Sequence, residues 1–137
     1  MPVDKKQISG MTFPEELKYF KEHTWIKGEG SEVSVGITDF AQEQLGDIIF
    51  VELPKAGDLF TQGEVFGQAE SAKSVSSLYM PVSGEITSVN AEVEDSPDLV
   101  NTNPYSKGWM ITVKLKDLSE VSALLSKDGY FNLLEES

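Results

Sequence analysis

Phe66-Gly67-Gln68-Ala69-Glu70-Ser71-Ala72-Lys73-Ser74-Val75-Ser76-Ser77-Leu78-Tyr79-Met80-Pro81-Val82-Ser83-Gly84-Glu85-Ile86 decides how this chain reads. Val65 and Phe66 on one side, and Leu78, Tyr79 and Val82 on the other, suit a sheet, so the stretch predicts two strands joined by a tight turn. Small and polar residues (Ser71, Ala72, Ser74) crowd a single lysine, Lys73, which places it at or near the hairpin tip, held out from a rigid scaffold. A lysine in a turn is ordinarily just solvated. The alternative is a modification site, because an ε-amine on a long flexible stem carries an acyl group clear of the fold and loses its charge as an amide. The residues of the turn alone leave the ordinary reading in front.

Upstream, Thr24 to Ile37 reads as another hairpin, with Gly28 and Gly30 in the turn and Val33, Val35 and Ile37 alternating with smaller or polar residues. Thr38 or Asp39 caps a short helix, and Gln42 is placed to complete a capping box from Asp39. Phe40, Ala41 and Leu45 give that helix an apolar side, and Gly46 ends it. Ile48 to Leu53 is expected to be a buried strand, closed by Pro54 and Gly57. Residues 1–12 form a polar leader expected to be loosely ordered, and the segment Phe13 to Phe20 begins with a helical turn or is irregular.

Downstream, Gly84 to Val89 continues the sheet, and Glu92 to Pro104 is expected to be a turn-rich acidic crossover. Trp109, Ile111, Val113 and Leu115 give the next strand one alternating face. Asp117 or Ser119 caps a helix to about Ser126, striped by Leu118, Val121, Leu124 and Leu125. Gly129 is expected to break it, and Tyr130, Phe131, Leu133 and Leu134 suggest one more amphipathic turn or two. Many short strands with few helices imply a mainly β core of two packed sheets or a flattened barrel, in a single domain over 13–137.

Composition sets bounds. A chain of 137 residues with 39% hydrophobic content is long enough to bury one core. It has no apolar run near the length of a membrane span, and Met1 to Lys6 lacks both the apolar centre of a secretory signal and the arginines of a transit peptide. With no cysteine, disulfides, thiolate catalysis and cysteine metal sites are excluded, and a cytoplasmic location is expected. The net charge of −12 argues against nucleic acid and membrane surfaces, which call for a basic face. It serves solubility, or steering toward basic docking surfaces.

A self-sufficient active site does not emerge. His23 is the single histidine, with no nucleophile or orienting partner identifiable in the sequence, so it reads as structural or as the lining of a groove. Glu92, Glu94, Asp95 and Asp98 lack metal-ligand spacing, and no glycine-rich loop precedes a helix to cradle phosphate. No catalytic and no metal-binding residue is assigned.

Glu70-Ser71-Ala72-Lys73 followed by Ser77-Leu78-Tyr79-Met80-Pro81-Val82-Ser83-Gly84-Glu85 resembles the lipoyl-lysine hairpin of the H-protein family of the glycine cleavage system, written E-S-V-K-A-x-S-D, a hydrophobic pair and P-V-S-G-E. Val35-Gly36-Ile37-Thr38-Asp39-Phe40-Ala41-Gln42 resembles the family's V-G-I-T-x-x-A-Q. Leu45-Gly46-Asp47, Phe50-Val51-Glu52-Leu53-Pro54, Asp95-Ser96-Pro97, Leu99-Val100-Asn101, Pro104-Tyr105 and Gly108-Trp109-Met110 follow in order. The resemblance covers roughly Leu17 to Leu134.

It implies a lipoyl-domain-like β-sandwich or flattened barrel (a barrel-sandwich hybrid) with a short internal helix and C-terminal helices. It also implies lipoic acid joined by an amide to Lys73, with Glu70, Ser71 and Ala72 recognised by a lipoate-attaching enzyme. The protein would be a non-catalytic carrier of the aminomethyl group among glycine decarboxylase, aminomethyltransferase and dihydrolipoamide dehydrogenase. His23, Thr24 and Ser77 are candidates to line the cleft for the arm.

Two positions depart from the family. Thr24 stands where H-E-W has its glutamate, and Ser77 where S-D has its aspartate. Both changes remove a carboxylate that would pair with a cationic cargo. They read as drift, with Glu22 or Glu70 compensating, or as a different cargo, as in the H-like lipoate-binding proteins that carry sulfur intermediates for a heterodisulfide-reductase-like complex. Outside the family reading stand an unmodified all-β interaction domain and, less well supported, a small enzyme.

Overall fold

Glu32-Val33-Ser34-Val35-Gly36-Ile37 alternates large and small side chains, and that pattern becomes a strand with Val33, Val35 and Ile37 buried. The computed structural model describes residues 11–28 and 30–136. The expected leader therefore lies outside the described residues except for Met11 and Thr12.

All strand pairs are antiparallel. The larger sheet holds β1 (Lys18–Tyr19), β2 (Thr24–Lys27), β3 (Glu32–Ile37), β9 (Ile111–Leu115), β8 (Gly84–Val89) and β5 (Leu59–Phe60), in that spatial order. The smaller sheet is β4 (Ile48–Glu52), β6 (Val65–Ser71) and β7 (Val75–Tyr79), with β6 in the middle. Ile26, Val35, Ile86, Ile111 and Val113 from one sheet meet Val51, Ala69 and Leu78 from the other in a common core. Each fully buried aliphatic side chain of this kind contributes about 1.5–3 kcal/mol. A separate cluster gathers Phe13, Leu17, Tyr19, Trp25, Phe40, Tyr130 and Leu134, where the segment 13–25 meets the C-terminal helix. The mainly β core of two packed sheets expected from the sequence is the observed architecture.

The helices are α1 (Asp39–Leu45), α2 (Ala91–Asp95), α3 (Asp98–Thr102), α4 (Ser119–Ser122) and α5 (Lys127–Glu136) among the described residues. Several expectations change here. The crossover from Glu92 to Pro104 contains two short helices, α2 and α3, because Asn90 caps the first through Glu92 N–H and Pro97 starts the second. The segment after Phe13 forms one turn, Leu17 N–H to Pro14 O, and then the short strand β1. Gly129 does not break the C-terminal helix but lies inside α5. The break comes earlier, where Leu125 exchanges both backbone hydrogen bonds with Tyr19 at 2.8 Å and so leaves the helical path. Ser126 then restarts the helix by accepting Gly129 N–H on its Oγ and Tyr130 N–H on its carbonyl.

Strand β4 is not buried along its length. A bulge between Ile48 and Phe50 turns Ile49 and Phe50 outward, 60% and 48% exposed, while Ile48 and Val51 stay in the core.

Candidate functional site

Lys73 sits in the three-residue turn that joins β6 to β7, with Ala72, Lys73 and Ser74 all exposed. Ser71 builds the turn. Its N–H donates to Ser74 O at 2.8 Å, and its buried hydroxyl oxygen accepts the N–H groups of Lys73 (3.3 Å) and Ser74 (3.2 Å). The hydroxyl thus satisfies two donors that the turn would otherwise leave open. Among the described residues no hydrogen bond or ion pair engages the Lys73 ammonium.

The lysine stem folds back onto the C-terminal end of α1. A Cβ on Gly46 would lie 3.3 Å from Lys73 Cε and 3.6 Å from Nζ. Gly46 has φ +82° and ψ −160°, a region essentially reserved for glycine. Asn101 of α3 fixes this corner, donating to Gly46 O (2.9 Å) and Gln42 Oε1 (2.8 Å) while accepting from Ile48 N–H (2.9 Å). The crossover is therefore part of the support beneath the lysine.

Glu70 lies in one cross-strand row with Phe50 and Val75, since Phe50 pairs with Glu70 and Glu70 with Val75. Directly opposed residues share a face, so a carboxylate sits between two apolar side chains that are 48% and 57% exposed. Glu52, Gln68 and Ser77 form the next row, with Gln68 Nε2 donating to Glu52 Oε2 at 2.9 Å. Ser77 is exposed.

The other end of α1 carries His23. Its ring centroid is 4.9 Å from that of Phe40, and its Nδ1 is 2.7 Å from Tyr130 Oη. Tyr130 Oη is in turn 2.8 Å from Thr38 Oγ1, which accepts Ala41 N–H and caps α1. Tyr105 Oη accepts Asp39 N–H (2.9 Å), and the Asp39 carboxylate accepts Gln42 Nε2 (2.7 Å). Thr38 is therefore the cap, and Gln42 binds the Asp39 side chain instead of closing a capping box. Burial lowers the His23 pKa, partly opposed by Glu22, and burial raises the pKa of Tyr130. His23 is also the one non-glycine residue with positive φ, +73°, among the described residues. Its backbone is held by N–H to Phe20 O (2.9 Å) and by Thr38 N–H on its carbonyl (3.1 Å).

Of the residues singled out in the sequence, Lys73, Glu70, Ser71 and Ala72 come together at the hairpin, and His23 and Thr24 stand beside the opposite end of α1. Thr24 is 1% exposed, and its hydroxyl donates to Tyr79 O at 3.1 Å, tying β2 to the end of β7. Sequence reasoning missed Tyr130 as a partner of His23 and Gly46 as the surface under Lys73. Tyr130 carried one signal: a tyrosine on an apolar helix face must find a polar partner for its hydroxyl once buried. No helix among the described residues is long and apolar enough to cross a membrane.

The family model described as glycine cleavage H-protein matches residues 17–137. The glycine cleavage system H protein of Staphylococcus carnosus (strain TM300) is 54% identical over 126 residues, 92% of this chain and all of that protein. The one from Staphylococcus haemolyticus (strain JCSC1435) is 52% identical over the same coverage. The crystal structure of a glycine cleavage system H protein from Mycobacterium marinum superposes with a TM-score of 0.80 at 38% identity, covering 88% of this chain and 97% of that one. None of these three relatives is named for sulfur oxidation, so that alternative gains no support.

Proposed function

This chain belongs to the glycine cleavage H-protein family, and from that membership we propose that it is a lipoyl carrier, modified on Lys73, that serves glycine cleavage without catalysis of its own. The observation that carries the reading is a lone exposed lysine, its ammonium unengaged, at the tip of a hairpin whose turn is pre-formed by Ser71. The lipoyl group, when bound, supplies dithiol–disulfide chemistry. The protein supplies the rest: a fixed tether point, a surface for docking, and a path for the arm along α1.

Seven residues of α1 span about 10 Å. Eleven bonds separate the Lys73 Cα from the ring of a lipoyl arm, about 13 Å when extended. Nζ already stands beside Gly46, so six of those bonds, about 8 Å, remain to the ring, and with the ring itself added the distal end of the arm comes level with the Phe40 end of the helix, where His23 packs. Tethering raises the local concentration of the cargo at each partner without tight binding. Glycine decarboxylase, aminomethyltransferase and dihydrolipoamide dehydrogenase are the partners this reading requires, and a lipoate-attaching enzyme reads Glu70 and the Ser71-shaped turn. Ser77 stands at the surface without a charge, so a cationic cargo finds no carboxylate at that position.

The test is exchange of labelled bicarbonate into glycine with glycine decarboxylase, using protein whose modification on Lys73 is verified by mass. Exchange by the lipoylated chain and none by Lys73→Arg supports the proposal. Lipoylated protein that supports no exchange refutes the role in glycine cleavage, and a chain that cannot be lipoylated refutes the carrier role.

A further inference from the structure

Three groups stand in series where α5 meets α1: Thr38 Oγ1, Tyr130 Oη 2.8 Å away, and His23 Nδ1 a further 2.7 Å on. Thr38 and Tyr130 are 0% exposed, so every proton in this series needs a partner. Thr38 Oγ1 already accepts Ala41 N–H. If Thr38 donates to Tyr130, and Tyr130 donates to Nδ1, every proton is used. In the reverse direction Nδ1–H donates to Tyr130 and Tyr130 to Thr38, and the Thr38 proton has no acceptor among the described residues. An orphaned buried donor of that kind is costly. The favoured direction leaves Nδ1 bare and puts the proton of the neutral ring on Nε2. A doubly protonated ring forces the reverse direction.

We propose that Tyr130 is a positioning residue that locks His23 as the neutral Nε2–H tautomer, making it an uncharged hydrogen-bond donor to an acceptor at the distal end of the arm, a sulfur or the group it carries. This rests on the arm running along α1 from Lys73. Its consequence for cargo is electrostatic. With neither Thr24 nor Ser77 supplying a negative charge, a cationic His23 would repel a cationic cargo outright, whereas the locked neutral ring does not. The ionisable neighbours are Glu22 on the same segment and Tyr130 on α5, while α1 contributes only the apolar ring of Phe40. Among the described residues Nε2 has no hydrogen-bond partner, and the ring is partly exposed, so the donor is available.

His23 is the only histidine, so nitrogen NMR of imidazole-labelled protein reports on it without ambiguity. The expected wild-type spectrum shows a single Nε2–H tautomer. Tyr130→Phe mixes the tautomers and raises the titration midpoint by roughly half a pH unit or more, while Thr38→Ser, which keeps the hydroxyl, preserves the wild-type pattern. A mixed or Nδ1–H ring in the wild type overturns the proposal without any variant having to fold. The second arm follows the His23 Nε2–H signal in unmodified protein, in lipoylated protein, and in lipoylated protein after turnover with glycine decarboxylase and glycine. A shift in either modified state is expected, and no shift in both overturns the donor role. If mass spectrometry shows that Lys73 cannot be lipoylated, the carrier reading itself has failed, a result distinct from a lipoylated protein with an indifferent His23.

Discussion

Gly46 meets two demands at one position. Its backbone dihedrals lie in a region essentially closed to other residues, and the Lys73 stem occupies the space where a side chain would begin. Gly46→Ala is expected to cost about 1–3 kcal/mol, read as a lower urea midpoint at unchanged slope, and to push Lys73 off the helix end. Thr24→Val removes the hydroxyl bond to Tyr79 O from a fully buried site and is expected to cost about 1 kcal/mol by the same measurement. Ser77 behaves differently. It is exposed, so Ser77→Asp is expected to change stability by less than about 0.5 kcal/mol. Restoring a carboxylate there is expected to raise kcat/KM in glycine–bicarbonate exchange about 2- to 5-fold, the scale of one exposed charge pair. The turn that holds Lys73 was legible from its small and polar residues, but only the family resemblance, not the turn chemistry, singled the lysine out. Thr24 was legible as a departure from the family, but not as a residue whose hydroxyl is spent on the neighbouring strand, because that contact joins positions far apart in the chain.

At the scale of elements, the strands declared themselves through alternation and glycine turns, and the hairpins β2–β3 and β6–β7 fall where those signals placed them. The helices were harder. Pro97, Asn101 and Asn103 are turn formers by local preference, yet Asn101 spends its side chain on Gly46, Gln42 and Ile48, and that tertiary demand stabilises α3. Gly129 is a helix breaker by propensity but is carried within α5 because Tyr130 and Leu134 bury their side chains completely. The same helix sets a pH dependence. The His23 pKa is lowered by folding, so the unfolded chain binds the extra proton first. The stability contributed by neutral His23 is full above the unfolded value near 6.5 and is lost as pH falls from there through the lower folded value. Unfolding free energy is therefore expected to decline between pH 7 and pH 5. His23→Asn, which tolerates the positive φ but does not titrate, is expected to flatten that decline.

For the whole molecule, 23 acidic against 11 basic side chains give a field of one dominant sign. Encounter with a partner's basic surface then depends on ionic strength, and the KM for the lipoylated chain with glycine decarboxylase is expected to rise several-fold between about 0.01 M and 0.15 M salt. A KM indifferent to salt would mean that the charge serves solubility alone. The overall architecture was readable because many short alternating segments allow few arrangements other than two packed sheets. The exposed row of Phe50, Glu70 and Val75 was not readable, because a bulge between Ile48 and Phe50 decides which side chains of β4 face outward.

The clasp between Tyr19 and Leu125 has a consequence in time. Translation proceeds from the N-terminus, so the hairpin bearing Lys73, built from neighbouring residues, has all its parts well before Leu125 and Tyr130 exist. His23 waits for a partner 107 residues further along the chain. The hairpin tip at Lys73 has all its parts early in synthesis, whereas the contact between His23 and Tyr130 forms only after the C-terminal helix has emerged from the ribosome.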